Sequence, residues 1–310
     1  MATITSFARV AVLAPCLNEE AAIAKVVRDF QAALPGAAIH VFDNGSTDNT
    51  VAVAEAAGAI VHREPQRGKG NVVRRMFADV DADIYVLVDG DDTYDAGAAP
   101  EMIALVRRER LDMVTGLRRH EAAAAYRPGH QFGNRLLTGT AAFVFAIGLG
   151  DMLSGYRVMS RRFVKSFPAL STGFEIETEL SIHAGELRLP TGEVPTVYRE
   201  RPPGSASKLR TLRDGWRILC TIVKLVQAER PLWFYGLLAA LLALVSIGLG
   251  LPIVVDFLET GLVPRLPTAV LSMGLMLSAL LAGAVGLVLQ MVKLARQETK
   301  RLAYLTLPPP

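Results

Sequence analysis

Two long stretches without a single Asp, Glu, Lys or Arg, residues 231–255 and 266–292, constrain this chain more than any other feature. Either reaches the ~20 residues that carry a helix through ~30 Å of hydrocarbon. Helices apolar on every side need cover that one domain of ordinary size does not supply, so a membrane is expected around Trp233–Val255 and Leu266–Val292. Neither expected span holds an ionisable residue, which argues for anchoring and against an ion path or a transporter's midplane site. Across all 310 residues the hydrophobic share is 51% and the mean hydropathy is +0.31, which excludes a disordered, solvating chain.

Charge is distributed unevenly around these runs. Residues 199–230 hold eight basic and three acidic side chains, and residues 293–310 hold four basic and one acidic. The overall net charge is +3, so the part before residue 199 is acidic. An acidic globular part with basic flanks argues against nucleic-acid binding and suits a segment lying on anionic lipid headgroups. The expected loop between the spans carries little positive charge, so the positive-inside rule places the globular part and the C-terminus together on the cytoplasmic side. Cys16 and Cys220 form no ligand or disulfide pattern, and Met1–Arg9 does not read as a secretory signal.

Three segments are expected: a globular domain over 1–205, an interfacial amphipathic helix over 206–231, and a two-helix anchor with a basic tail over 232–310. In the second, Leu209, Leu212, Trp216, Leu219, Val223 and Val226 recur every three or four residues among Arg210, Arg213, Arg217 and Lys224. Within the first, strands are expected at Val10–Ala14, Ile39–Phe42, Ala59–His62, Ile84–Val88 and Met113–Thr115. Helices are expected at Ala21–Ala33, Thr50–Ala57, Gly70–Asp79 and Pro100–Glu109. That alternation is an α/β fold with a mainly parallel sheet covered on both faces, and such sheets bind ligands beyond the carboxyl ends of their strands. Residues 116–200 are less regular, with helices read at Phe132–Ala146 and Glu175–Gly185 around the turn Ser154-Gly155-Tyr156.

The acid-rich strand ends are where chemistry is expected. Val88-Asp89-Gly90-Asp91-Asp92-Thr93-Tyr94-Asp95 follows an apolar strand, and two carboxylates flanking a glycine can converge on Mg²⁺ or Mn²⁺. Asp43, in Phe42–Asp48, also ends a strand and could accept hydrogen bonds from a base or ribose, while Ser46, Thr47 or Asp48 caps the next helix. The first strand runs into Pro15-Cys16-Leu17-Asn18-Glu19, and Arg67-Gly68-Lys69-Gly70 offers cations and backbone N–H groups to a diphosphate. His183, His62 and His40 read as structural, the alternating Glu175, Glu177 and Glu179 as a solvent-facing set, with Glu177 and Asp151 as secondary site candidates.

In order and type these residues resemble the family 2 glycosyltransferases. Pro15…Asn18-Glu19, Asp43–Asp48, Gly68-Lys69-Gly70 and Asp89-Gly90-Asp91 follow that family's pattern, and Gly155-Tyr156-Arg157 is similar to its Ser-Gly-Phe/Tyr-Arg turn. Arg201…Gly204…Ser207-Lys208-Leu209 is similar to a segment of the polyprenyl-phosphate, dolichol-phosphate mannose synthase-like branch. The resemblance implies a nucleotide-diphospho-sugar transferase (GT-A, Rossmann-like) domain, a UDP- or GDP-linked sugar donor and a polyprenyl-phosphate acceptor. By position, Pro15, Leu17, Glu19 and Asp43 would hold the nucleoside and Lys69 the diphosphate. Asp89 and Asp91 would hold the metal, with Thr93 at the third ligand position, where relatives often carry Gln. Arg118, Arg135, Arg201 and Lys208 would grip the acceptor or product phosphate. The Ala-rich, Arg-over-Lys composition is bacterial in type, which suggests undecaprenyl phosphate in the inner (cytoplasmic) membrane. Gln227-Ala228-Glu229-Arg230 is followed by Pro231 where a processive polysaccharide synthase would have Trp. A different lipid acceptor, a non-catalytic membrane adaptor with a transferase fold, and a homo-oligomer stay open on the sequence.

Overall fold

A computed structural model describes residues 9–120, 150–173, 175–199 and 229–309, with 223, 226 and 227. The expected helix at 132–146 and most of the amphipathic segment 206–231 lie outside these residues. The chain divides into two compact units, Met1–Thr211 together with Thr299–Pro310, and Leu212–Glu298.

The first unit is built on one seven-stranded sheet. Its strands are β1 (Val10–Cys16), β2 (Ala38–Asp43), β3 (Ile60–Arg63), β4 (Ile84–Leu87), β5 (Met113–His120), β6 (Arg157–Ser160) and β7 (Thr191–Tyr198). They lie in the order β3-β2-β1-β4-β6-β5-β7. The helices are α1 (Ile23–Ala33), α2 (Thr50–Ala56), α3 (Lys69–Asp79), α4 (Ala99–Glu109), α5 (Arg161–Ser166) and α6 (Ile176–Glu186). As expected, the first four strands run parallel, each joined to the next through a helix. β6 departs from the expectation, since it pairs antiparallel with both β4 and β5, and so makes the sheet mixed.

β1 shows why the strands read so clearly. It is buried along most of its length, and its side chains alternate between the two faces of the sheet. Val12, Ala14 and Cys16 join Ile23, Val27 and Phe30 of α1 and Met102 and Val106 of α4 in one core layer. Ala11 and Leu13 join Met76 of α3, Phe163 of α5, and Ile176 and Leu180 of α6 in the other. The chain steps from β1 to β2 and β3 on one side, then returns to place β4 on the other. The order reverses between β1 and β4, and the acidic residues stand at the carboxyl ends of those strands, where open α/β sheets bind their ligands.

In the second unit, α7 (Pro231–Thr260) and the part of α8 (Leu266–Leu305) up to Glu298 are each long and apolar enough to cross a membrane. Both exceed the expected spans, because helix continues through polar residues once the backbone is hydrogen-bonded. Ser246 and Ser272 exchange hydrogen bonds, each hydroxyl donating to the other's carbonyl at 2.7 and 2.8 Å. Leu237, Leu241, Leu244, Leu277 and Leu280 are left exposed.

Candidate active site

Hydrogen bonds and ion pairs lace together the four loops that follow β1, β2, β3 and β4. Asn18, in the left-handed region at φ 56°, accepts from Thr47 N at 2.8 Å, and Glu19 N donates to Thr50 Oγ1 at 2.9 Å. The loop after β1 is thereby fixed to the turn after β2. In that turn Asp43 accepts from Gly45 N and Ser46 N, both at 3.1 Å, and Asp48 rather than Ser46 or Thr47 receives the amide of Thr50 in α2. Asn44 reaches the third loop, accepting from Gly68 N at 2.7 Å and donating to Glu64 O at 3.0 Å.

The fourth loop follows β4. A Cβ on Gly90 would stand 2.4 Å from Cys16 Sγ, so the turn between Asp89 and Asp91 passes against the end of β1 as only glycine allows. Asp91 is buried and accepts from Thr93 Oγ1 at 2.6 Å, while Asp92, at φ 57°, points its carboxylate to Lys25 at 2.8 Å. Burial pushes the Cys16 thiol pKa well up, and the charges of Glu19, Asp43, Asp89 and Asp91 raise it further. One side chain therefore senses four of the expected site residues, and it is itself a neutral thiol unsuited to attack.

Lys69, where the third loop enters α3, reaches Asp89 in the fourth. Its Nζ donates to Asp89 Oδ1 at 2.5 Å and also pairs with Glu177. Burial alone would pull the ammonium's pKa down, but the two carboxylates outweigh it and hold Lys69 protonated. Of the two readings of Glu177, one of a solvent-facing set with Glu175 and Glu179 and the other a secondary site candidate, the first fails: Glu177 is buried, with Oε2 lacking a hydrogen-bond partner among the described residues. The sequence carried a signal for this, since Glu177 sits three, four and seven residues from Leu180, Ser181 and Ala184, all buried on the same face of α6.

Two further parts complete the site. A Cβ on Gly155 would meet Asp89 Oδ2 at 2.4 Å, and Gly155 N donates to the Tyr94 hydroxyl at 2.9 Å, so the Ser154-Gly155-Tyr156 turn backs directly onto the metal-ligand candidate. Behind that turn Arg157 is fully buried, donating to Ser154 O, Met152 O, Glu177 O and Ser181 Oγ; burial pulls its pKa down to about 10. Its role as the tie between this turn and α6 was not read from the sequence, because its acceptors are mostly backbone carbonyls. Arg118 forms a two-pronged pair with Asp151, at 2.6 and 2.8 Å. Arg135, Arg201 and Lys208 lie outside the described residues.

The arrangement suits a hard divalent cation. Asp89 and Asp91 flank Gly90 in the turn after β4 and offer oxygen donors, yet among the described residues no three His, Cys, Asp or Glu side chains form a cage. Any ion there must complete its shell from water and substrate oxygens, as Mg²⁺ and Mn²⁺ do beside phosphates. A model of the family described as "Glycosyl transferase family 2" matches residues 11–167, just over half of the chain.

This chain is a family 2 glycosyltransferase.

Relatives extend the match beyond that region. Glycosyltransferase AglJ of Haloferax volcanii is 35% identical over 80% of this chain and 81% of its own length. The dolichyl-phosphate hexose transferase of the same organism is 30% identical over 73% of this chain and 97% of its own. Among solved structures, glucosyl-3-phosphoglycerate synthase of Mycobacterium tuberculosis in complex with Mn²⁺, UDP and glucosyl-3-phosphoglycerate superposes with a TM-score of 0.58. It is 23% identical, with 72% of this chain and 80% of that one covered, and so shares the GT-A-like fold. The family 2 domain thus runs through the four laced loops and the Gly155 turn, and includes Asp89, Asp91 and Lys69.

Proposed function

We propose that this glycosyltransferase moves a single hexose from a nucleoside-diphosphate sugar to a polyprenyl phosphate at the cytoplasmic face of a bacterial inner membrane, with inversion at the anomeric carbon. The observation that carries the reading is the Asp89-Gly90-Asp91 turn, set at the switch point of the sheet and backed by Gly155, in a chain that also has two helices apolar enough to span a bilayer. The relative called a dolichyl-phosphate hexose transferase supports a phosphorylated polyprenol as acceptor, and the solved neighbour carrying Mn²⁺ and UDP supports the donor and metal class.

In this reading Pro15, Leu17, Glu19 and Asp43 hold the nucleoside, and Lys69 stands at the diphosphate end of the donor with its charge already shared between Asp89 and Glu177. Asp89 and Asp91 would hold Mg²⁺ or Mn²⁺, whose charge when bound offsets that developing on the departing nucleoside diphosphate. Thr93, whose hydroxyl donates to Asp91, serves to orient that carboxylate. Arg118, with Arg135, Arg201 and Lys208, receives the acceptor phosphate. A phosphate monoester is largely dianionic at neutral pH, with its second pKa near ~6, so the acceptor oxygen attacks without a general base from the protein. Residues 1–205 act as the cytosolic catalytic domain, 206–231 lie in the interface, and the helices of 232–310 anchor the enzyme.

The test is incubation of the purified full chain with a panel of UDP- and GDP-sugars, Mn²⁺ or Mg²⁺ and undecaprenyl phosphate, with mass spectrometry of the lipid. A lipid heavier by one hexosyl group, with its phosphate monoester converted to a phosphodiester, is expected, and its formation should be abolished by EDTA and by Asp91→Ala. Undiminished transfer by Asp91→Ala would refute the assigned site; product on diacylglycerol but never on the polyprenyl phosphate would refute the acceptor.

A further inference from the structure

The segment that follows the second apolar run in sequence belongs to the globular unit and is built into it. Tyr304 is buried in the core layer that holds α5 and α6, and its hydroxyl donates to Asp112 Oδ2 at 2.8 Å. Asp112, fully buried just before β5, also accepts from Ser160 Oγ at 2.7 Å and from Arg162 Nε at 2.6 Å. The Arg162 guanidinium in turn lies 4.6 Å over the Tyr304 ring. One turn earlier, Lys300 Nζ bonds Glu186 Oε2 at 2.5 Å, and Arg301 Nη1 donates to Leu187 O at 2.7 Å. Glu186 and Leu187 are the last residue and the C-cap of α6.

The other end of α6 is at the active site. Glu177, in its first turn, pairs with Lys69, and its carbonyl accepts from Arg157. Glu179 accepts from Leu170 N and Ser171 N at 2.9 and 2.8 Å, and the next carbonyls of that loop press on the glycines around Lys69. A Cβ on Gly68 or Gly70 would stand 2.1 Å from Thr172 O or Ser171 O. α6 is therefore a short rod with loops at both ends, one end in the site and the other clamped by Lys300 and Arg301.

We infer that Thr299–Leu305 is a positioning element of the active site: Lys300, Arg301 and Tyr304 brace the far end of α6 so that Glu177 and the loop on Gly68-Lys69-Gly70 keep their places. Glu186 has a side chain only 2% exposed, so removing Lys300 strands a buried carboxylate. The relief open to it is for the end of α6 to move toward water. A helix of this length transmits that motion to its first turn ~13 Å away, and displacements near ~1 Å at a catalytic group cost up to ~10²-fold in rate. Lys300, Arg301 and Tyr304 contact Glu186, Leu187 and Asp112 and act through α6.

The experiment uses four full-length variants in detergent micelles: Lys300→Glu, Glu186→Lys, the double exchange, and Lys300→Arg. Hydrogen–deuterium exchange is read over 168–187, and turnover of the nucleotide sugar is read as separate kcat and KM for donor. The expected result is faster exchange at both ends of α6 in the two single reversals, kcat lowered about tenfold at a donor KM within twofold of the parent, and recovery in the double exchange and in Lys300→Arg. Exchange changes confined to 183–187 with kcat unaltered in folded protein would overturn the inference, as would failure of the double exchange to restore what the singles lose. The kinetic arm rests on the transferase reading. If the parent chain turns over no nucleotide sugar, that reading fails, while the exchange arm still decides whether the tail braces α6.

Discussion

His183 offers a measurement whose size follows from its surroundings. The imidazole is almost fully buried in α6, edge-on to Phe163 at 5.2 Å and tilted against Phe167 at 5.3 Å. Nε2 lies 3.1 Å from Ser166 Oγ, and Nδ1 finds no partner among the described residues. Burial, and then the positive charge of Lys300, pull its pKa from 6.5 to about 3. The folded ring therefore stays neutral where the unfolded ring takes up a proton. Stability is fully present above pH ~6.5 and falls as the pH drops toward ~3, because the unfolded state binds the extra proton throughout that window. At pH ~5 the loss is about 2 kcal/mol, from ~1.4 kcal/mol per unit over ~1.5 units. His40 and His62, whose pKa values burial also lowers, act in the same direction, so the comparison must be between parent and variant. Urea midpoints of the full chain at pH ~8 and pH ~5, followed by near-ultraviolet circular dichroism of the buried Tyr85, Tyr94 and Tyr156, give the slope. His183→Gln should reduce the acid loss by about 2 kcal/mol, whatever it costs at pH ~8. An unchanged difference between the two pH values in the variant would show that His183 is not held neutral by its burial.

Two substitutions test the assembly of the site. Gly155→Ala places a methyl where Asp89 Oδ2 stands, and should lower kcat/KM for nucleotide-sugar turnover about a hundredfold with the circular dichroism spectrum retained; activity within twofold of the parent would separate Asp89 from the chemistry. Arg157→Lys keeps the charge but cannot serve the carbonyls of Ser154, Met152 and Glu177 together, and should cost about 3 kcal/mol in urea unfolding; a loss below about 1 kcal/mol would mean that water replaces the missing donors.

The first half of the globular fold was legible because each piece of it is local. Strands β1 to β4 alternate with helices, and one buried stripe per helix, such as Ile23, Val26, Val27 and Phe30 in α1, declares its own partner face. β6 was missed because it opens on Arg157, a residue that argues against a buried strand until its carbonyl acceptors are assembled from other parts of the chain. β7 was missed because Gly192 and Pro195 read as breakers; the strand is the last in the sheet order, and an edge tolerates a residue without an N–H. The site divides along the same line. Asp43, Asp89 and Asp91 could be found as acids that end apolar strands, whereas the meeting of Lys69 with Glu177 depends on α6 packing beside α3, which no local pattern encodes.

That division bears on how the acidic turn works. Asp89 and Asp91 are set by a local strand–turn unit, but what faces Asp89 is non-local: Gly155 on one side, and Lys69, itself shared with Glu177, on another. Two carboxylates beside a buried ammonium leave this group of three one negative charge in excess, before Asp91 is counted. A nucleoside diphosphate arriving alone would meet that excess as repulsion, whereas with a divalent cation the charge at the acidic turn is compensated. Donor and cation should therefore bind as a pair. Calorimetric titration of UDP should show binding strengthened at least tenfold by saturating Mn²⁺, and Asp91→Asn should weaken the Mn²⁺-dependent part while leaving the metal-free affinity within about threefold. Equal UDP affinity with and without Mn²⁺ would break the link between the acidic turn and the nucleotide.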